Sequence, residues 1–321
     1  RIGSSVPRVY GMQPEELDPA GSVSIIDVNK RTVLATAGFA GVPQEGENLR
    51  LDTGMDFEPE YIAVSQDGRT AYVTLQEANA VGVLDIRAGS FRKVVGLGAK
   101  DFGAEGNQID PLDDGTVSFI SPDVKGLYMP DSIASYKARG RTYLVMANEG
   151  DFREDDGDRS AASSLSASAP LNRLRVSNTD SSPGDLYAAG GRSFSIRDAD
   201  GNLVYDSGDI LDKAAHALEI YDDGRSRDKG VEPEGVALLE MRGRTYAFIG
   251  LERTTKSAVA VFDITDPRSV EYVDMLVGED DLSPEGLHTF SHRGQHYLAV
   301  ANEVSNTTSL YRIDTARRNI S

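Results

Sequence analysis

Along most of the chain, short runs of alternating apolar and polar residues are separated by polar turns that contain glycine. Alternation with a period of two marks a half-buried β-strand. Four such units align with one another: PEYIAVSQDGRTAYVTLQE (59–77), PDSIASYKARGRTYLVMANE (130–149), PEGVALLEMRGRTYAFIGLE (233–252) and PEGLHTFSHRGQHYLAVANE (284–303). Each reads as a strand, a turn around glycine and a second strand, which is a β-hairpin. Another alternating run follows the first, third and fourth hairpins: AVGVLDI (80–86), AVAVFDI (258–264) and TTSLYRI (307–313). RSFSIRDADGNLVYDSG (192–208) and SVSIIDVNKRTVL (22–34) have the form of outer hairpins. Two consecutive hairpins make a four-stranded antiparallel sheet of about 40–50 residues, the size of one propeller blade. The predicted fold class is therefore all-β, a single β-propeller domain over residues 1–321.

The hairpins begin at 59, 130, 233 and 284, an uneven spacing that leaves room for degenerate blades or insertions. Segment 151–185, rich in Asp, Ser and Ala, is predicted to be a mobile surface-loop insertion. SVSIIDVNKRTVL looks like the outer half of a blade, yet residues 1–21 supply little strand pattern for an inner half. Either that hairpin packs onto TTSLYRI to close the ring, or a preceding stretch is missing, and the second reading is favoured. A start at Arg1, without Met or a signal peptide, points to a processed or cut chain.

Composition narrows the chemistry. Lys and Arg number 33 against 51 Asp and Glu, a formal charge of −18, which argues against nucleic acid and anionic membranes as partners. The absence of cysteine excludes disulfides, Cys-ligated metal and thiol catalysis. No apolar run approaches the roughly 20 residues of a membrane-spanning helix. Without tryptophan, and with few aromatics, stacking on sugars is disfavoured.

The repeat places an acid at both ends of every hairpin: Glu60 with Glu77, Asp131 with Glu149, Glu234 with Glu252, and Glu285 with Glu303. The midpoints of these pairs fall on or beside Gly68, Gly140, Gly243 and Gly294, so each pair is expected to face across the open end of its hairpin. If these are the innermost strands of four blades, eight carboxylates crowd one mouth of the channel. At ~4 Å two like charges repel by roughly 4 kcal/mol at an effective dielectric near 20, and water, protonation or a cation must relieve that. Hard oxygen donors without His or Cys suit Ca²⁺, with Mg²⁺ or Mn²⁺ as alternatives. The competing reading makes them solvated strand-end residues, some paired with Arg153 or Arg253.

Other features carry less. Asp198-Ala-Asp200-Gly-Asn202 resembles the start of a calcium loop, but Leu203 stands where glycine is required, and a tight turn explains it better. The acidic run Asp151, Glu154, Asp155, Asp156 and Asp158 reads as a solvated face. His288, His292 and His296 share one hairpin without metal-ligand spacing and are expected to pack or face solvent. There is no nucleophile-elbow sequence and no phosphate-cradling glycine loop.

The strings GSVSIID, EPEYIAVSQDGRTAYVTLQE, YMPDSIASY, YLVMANEGD, GGRSFSIRDADGNLVYDSGD, EPEGVALLE, RTYAFIGLER and LAVANEVSNTT resemble the choice-of-anchor I family of exported bacterial propellers. The resemblance covers the chain from about residue 20 onward. It implies a seven-bladed propeller, export to the periplasm, medium or cell surface, and N-terminal blades not found here, supplied by another segment or a second chain. Some relatives carry an alkaline phosphatase assignment through likeness to calcium-dependent propeller phosphatases, which cluster Ca²⁺ on acids in the channel mouth. On that likeness Glu60, Glu77, Asp131, Glu149, Glu234, Glu252, Glu285 and Glu303 would be metal ligands. Arg153 and Arg253, and more weakly Lys125, would hold a phosphorylated small molecule. The expected function is an exported Ca²⁺-dependent phosphoesterase. The alternative is a non-catalytic, calcium-stabilised surface module that is structural or holds a surface partner.

Overall fold

The structure, a computed structural model, describes residues 20–50, 57–152 and 157–314. Strands β1 (Ser22–Asp27) and β2 (Thr32–Gly38) form an antiparallel pair. The next sheet combines β3 (Gln44–Glu47), β4 (Pro59–Val64), β5 (Thr70–Leu75), β6 (Ala80–Asp85) and β7 (Ser90–Leu97). Here β4 to β7 run antiparallel in chain order, and β3 adds parallel to β7. After β8 (Ala99–Asp101) and β9 (Lys125–Leu127) come β10 (Ile133–Ala138) and β11 (Arg141–Asn148). Then follow β12 (Arg159–Ala161), β13 (Arg175–Ser177), β14 (Tyr187–Ala189), β15 (Ser193–Asp198) and β16 (Leu203–Asp206). Strands β10, β11, β15 and β16 make one blade, while β8, β9 and β14 form a small side sheet. Helix α1 (Ile210–Ala217) leads to a third blade of β17 (Pro233–Met241), β18 (Arg244–Leu251), β19 (Ser257–Asp263) and β20 (Glu271–Gly278). The last sheet holds β21 (Pro284–His292), β22 (Gln295–Asn302) and β23 (Thr307–Ile313).

The hairpin turns follow from local chemistry. Arg139-Gly140, Arg242-Gly243 and Arg293-Gly294 each link directly paired residues and take positive φ at both positions, 49° and 78° in the first. That is the type I′ turn, whose twist matches the strands and whose second position suits glycine.

Central strands are buried on both faces because the sheets stack. In β19, Ala258, Ala260 and Phe262 pack toward Val145, Phe194 and Ile196 of the preceding blade, while Val259 and Val261 pack toward Leu298 and Val300 of the last sheet. In β6, Ala80 and Leu84 meet Val23 and Ala37 of the first hairpin, while Val81 and Val83 meet Leu144 and Met146. Innermost strands of neighbouring sheets lie side by side: β4 with β10, β10 with β17, and β17 with β21. Successive antiparallel sheets packed face to face, first strand beside first strand, constitute β-propeller architecture. The described residues hold four blade sheets and the β1–β2 hairpin, fewer than the seven blades the family resemblance implies. That hairpin packs on the first blade, and among the described residues it is not paired with β23. The two ends of the stack leave apolar side chains exposed, Ile26 and Leu34 at one, Phe290 and Leu310 at the other.

The insertion is folded where it is described, which corrects the expectation of a mobile loop. Ala162, Leu174 and Val176 are fully buried against Phe102, Ile109, Leu186 and Ala188. Arg50, with a side chain 1% exposed, ties the insertion to the first blade by donating from Nη2 to Asp158 Oδ1 (2.5 Å) and from Nε to Asp180 Oδ2 (2.8 Å). Its Nη1 donates to the Glu77 carbonyl (2.9 Å).

Candidate functional site

The acid ends of the hairpins are shaped by a one-residue β-bulge. Pairing steps from Pro59↔Leu75 to Ile62↔Val73, from Pro233↔Leu251 to Val236↔Ile249, and from Pro284↔Asn302 to Gly286↔Ala301. The inner strand thus carries an extra residue at each Pro-acid step, and such bulges re-aim side chains. Just before the prolines, Met129, Glu232 and Ser283 take positive φ of 43°, 51° and 58°. Their carbonyls accept from Gly150 N (3.0 Å), Glu252 N (2.9 Å) and Glu303 N (2.8 Å), which closes the open end of each hairpin.

Carboxylates from the two middle blades come into contact. Glu149, Glu232 and Glu252, all buried, each offer an oxygen within 4.8 Å of the other two. Lys229 Nζ sits among them, 2.9 Å from Glu149 Oε1, 3.0 Å from Glu232 Oε2 and 3.8 Å from Asp151 Oδ1. Gln76 Nε2 donates to Glu149 Oε2 (2.8 Å), and Arg225 Nε to Glu232 Oε1 (2.6 Å). Arg253 Nη2 reaches Glu252 Oε1 (2.8 Å).

Beside this cluster, Asp131 and Glu234 share a side-chain hydrogen bond. Burial, then the charges of Glu149, Glu60 and Glu285, pushes Asp131 up to about 8. Burial, then Glu149, Glu252, Asp131 and Glu285, pushes Glu234 up to about 10. Glu252 rises to about 7 through burial and the Glu149 charge, against the pull of Arg253. Burial by itself lowers Lys229, but the charges of Glu149, Glu232 and Asp151 more than compensate and raise it overall, so it stays charged. Strong shifts set by burial plus named charge partners mark a functional-site candidate.

Of the eight predicted ligands, the structure brings Asp131, Glu149, Glu234 and Glu252 together, with Glu60 and Glu285 exposed but within electrostatic reach. Glu77 joins Glu58 and Glu60 in a second group whose oxygens also lie within 4.8 Å. Glu303 is exposed, and only its backbone is seen to engage the hairpin end. Arg253 is at the mouth but paired with Glu252. Lys125 lies elsewhere, on β9, where it donates to Asp185 Oδ1 (2.9 Å) and Tyr187 OH (3.1 Å). Arg153, with Glu154, Asp155 and Asp156, lies outside the described residues. Asp151 and Asp158 part company, one toward Lys229 and the other to Arg50.

Asp198 behaves as a turn residue, accepting from Asp200 N (3.0 Å) and Asn202 N (2.9 Å). His288 stacks near Phe290, and His296 Nδ1 contacts Ser291 Oγ (2.8 Å). Sequence reasoning missed Glu58, Glu232, Lys229, Arg225 and Gln76. A signal for the first two is present: hairpins one and three read Glu-Pro-Glu, where two and four read Met-Pro-Asp and Ser-Pro-Glu.

The donor set around Glu149 is carboxylate oxygen from Glu149, Glu232 and Glu252 with a cationic nitrogen already seated in it, and it fits a hard divalent ion. The choice-of-anchor I domain family matches residues 8–267. The mesenchyme-specific cell surface glycoprotein of Strongylocentrotus purpuratus is 25% identical over 325 residues, spanning 80% of this chain and 40% of that protein, so the chain covers under half of that relative. Among solved structures, the WD40 domain of Toxoplasma gondii coronin aligns at 10% identity and a TM-score of 0.45, covering 94% of this chain and 52% of that one. The Dos1 propeller aligns at 10% identity and 0.41, covering 92% and 55%.

Proposed function

Because the chain belongs to the choice-of-anchor I domain family, we propose that it is an exported protein whose propeller mouth binds a divalent cation, Ca²⁺ first, for phosphoester hydrolysis. The observation that carries this reading is the convergence of Glu149, Glu232 and Glu252 from three separate segments onto one buried point. Carboxylates in that setting require a counter-cation, and a bound ion there would polarise a phosphoryl oxygen and lower the pKa of a bound water. Glu149, Glu232 and Glu252 would hold it, with Gln76 fixing the orientation of Glu149. Asp131 and Glu234, held largely protonated by burial and by the charges of the carboxylates around them, are placed to give or take a proton near neutral to alkaline pH.

A second reading has its own support. Lys229, Arg225 and Arg253 are each already paired with a carboxylate, which leaves none of the three free to clamp a phosphate. On this reading the ion stiffens a cell-surface module and there is no turnover. The deciding experiment is hydrolysis of an aryl phosphate at mildly alkaline pH, with Ca²⁺ added and then chelated. Turnover that appears with Ca²⁺ and vanishes with chelator supports the hydrolase. No turnover in a protein that melts higher with Ca²⁺ supports the structural module, and no Ca²⁺ binding at all removes both.

A further inference from the structure

We infer that the Lys229 ammonium is the resident occupant of the carboxylate site, and that an entering divalent cation displaces it to become, with Arg253, the anion-holding side of the same site. This rests on the cation-binding reading above and adds to it an exchange step and an anionic ligand of the phosphate class.

The geometry leaves room for one cation at a time. Lys229 Nζ stands 2.9 Å and 3.0 Å from the oxygens of Glu149 and Glu232. A Ca²⁺ ion takes its oxygens at about 2.3–2.6 Å, so an ion between those two carboxylates would take the space the ammonium fills. Two cations there would also repel across a buried, poorly screened gap.

What yields is the side chain, because the loop that carries it is clamped from behind. Arg192, 2% exposed, donates to the carbonyls of Ser226 (2.5 Å) and Asp228 (3.2 Å). Val231 N donates to Asp212 Oδ1 (3.2 Å) on helix α1, and Gly230 at φ 65° lies so close that a Cβ there would fall 2.8 Å from Asp212 Oδ2. Lysine, by contrast, is a compact charge on a flexible stem. Its third neighbour, Asp151, is 47% exposed and marks the way out to solvent. Arg253, 41% exposed, is released in the same event once Glu252 turns to the ion. Displacement therefore converts two cations from internal partners of carboxylates into groups facing solvent beside the bound ion, where an oxyanion completes the charge balance.

The test is reductive methylation of the wild-type protein with and without Ca²⁺, read at Lys229 by mass spectrometry, with calorimetry confirming that Ca²⁺ is bound. Lys30, 75% exposed, is the internal reference. The expected result is labelling of Lys229 that rises severalfold with Ca²⁺ while Lys30 is unchanged. Unchanged or lower labelling with Ca²⁺ bound overturns the exchange and leaves the cation site standing; absence of Ca²⁺ binding overturns both. In parallel, Lys229→Met should bind Ca²⁺ about tenfold more tightly, within the usual range of coupling between linked ligands. It should also bind inorganic phosphate more weakly in the presence of Ca²⁺. Equal or weaker Ca²⁺ affinity would show that Lys229 builds the site rather than fills it. If the variant does not fold, the labelling experiment decides alone.

Discussion

Crowding acids in the mouth should make the metal-free protein less stable as the pH rises through neutrality. Glu252 is 7% exposed, and its carboxyl is moved from 4.5 to about 7 by burial and by Glu149. The folded protein therefore holds this proton more tightly than the unfolded chain does. Between those two values the native state binds more protons, so stability falls with rising pH, and the full loss is present above about 7. At 1.36 kcal/mol per unit this one group costs about 3 kcal/mol in the alkaline limit. Asp131, at about 8, and Glu234, at about 10, extend the decline upward. Groups moved the other way, Asp67, Asp85, Asp263 and Asp281, stabilise above the ordinary carboxylate range and lose that effect only in acid.

The assay is thermal melting in chelator at about pH 5 and about pH 8, repeated with saturating Ca²⁺. At no more than the roughly 2–4 °C per kcal/mol of a 150–250-residue domain, this 321-residue chain should show a metal-free midpoint that drops by up to about 6–12 °C across that interval from Glu252. Calcium should shrink the drop, because bound cation holds the acids ionised, and its apparent affinity should rise with pH. A metal-free midpoint that is flat or rising over this interval would falsify the account of the mouth as a strained set of acids. A Ca²⁺ stabilisation equal at both pH values would place the ion elsewhere.

Four substitutions probe the remaining structure. Glu149→Gln and Glu252→Gln should each lower Ca²⁺ affinity by about 10–100-fold, the usual scale for disturbing a metal shell, and abolish any hydrolysis while circular dichroism stays native; unchanged affinity would exclude them as ligands. Arg50→Ala breaks the buried pair with Asp158, itself 3% exposed, and should cost about 3–5 kcal/mol in urea unfolding. A loss well under that range would mean the insertion is held by its apolar cluster alone. Gly230→Ala forces a side chain into the left-handed region and onto the Asp212 carboxylate, and should lower Ca²⁺ affinity as well as stability by shifting Lys229 and Glu232. A stability loss with normal Ca²⁺ affinity would separate the clamp from the site.

The hairpins, their turns and the blade order were legible from the chain because they depend on local properties. Period-two alternation decides which side of a strand is buried, and Arg-Gly at three of the four turns supplies the positive φ of a type I′ link. The acids at the hairpin ends were legible for the same reason, as repeated positions on a repeated unit. Their equivalence was not. A register counted from the turn treats Glu303 as it treats Glu252, yet the first belongs to the last sheet of the stack and is exposed, while the second lies between two blades and is buried.

What the sequence by itself determined is an all-β chain of blade hairpins with carboxylates at their mouths, since those features are written in neighbouring residues. Only the tertiary structure decided which carboxylates share a site and which cations hold them. Gln76, Glu149, Lys229 and Glu252 come from different blades and loops, and nothing local in the chain relates them. The face-to-face stacking of sheets, with the loop before β17 laid across it, brings them to one point. Burial there, rather than residue type, sets their charge.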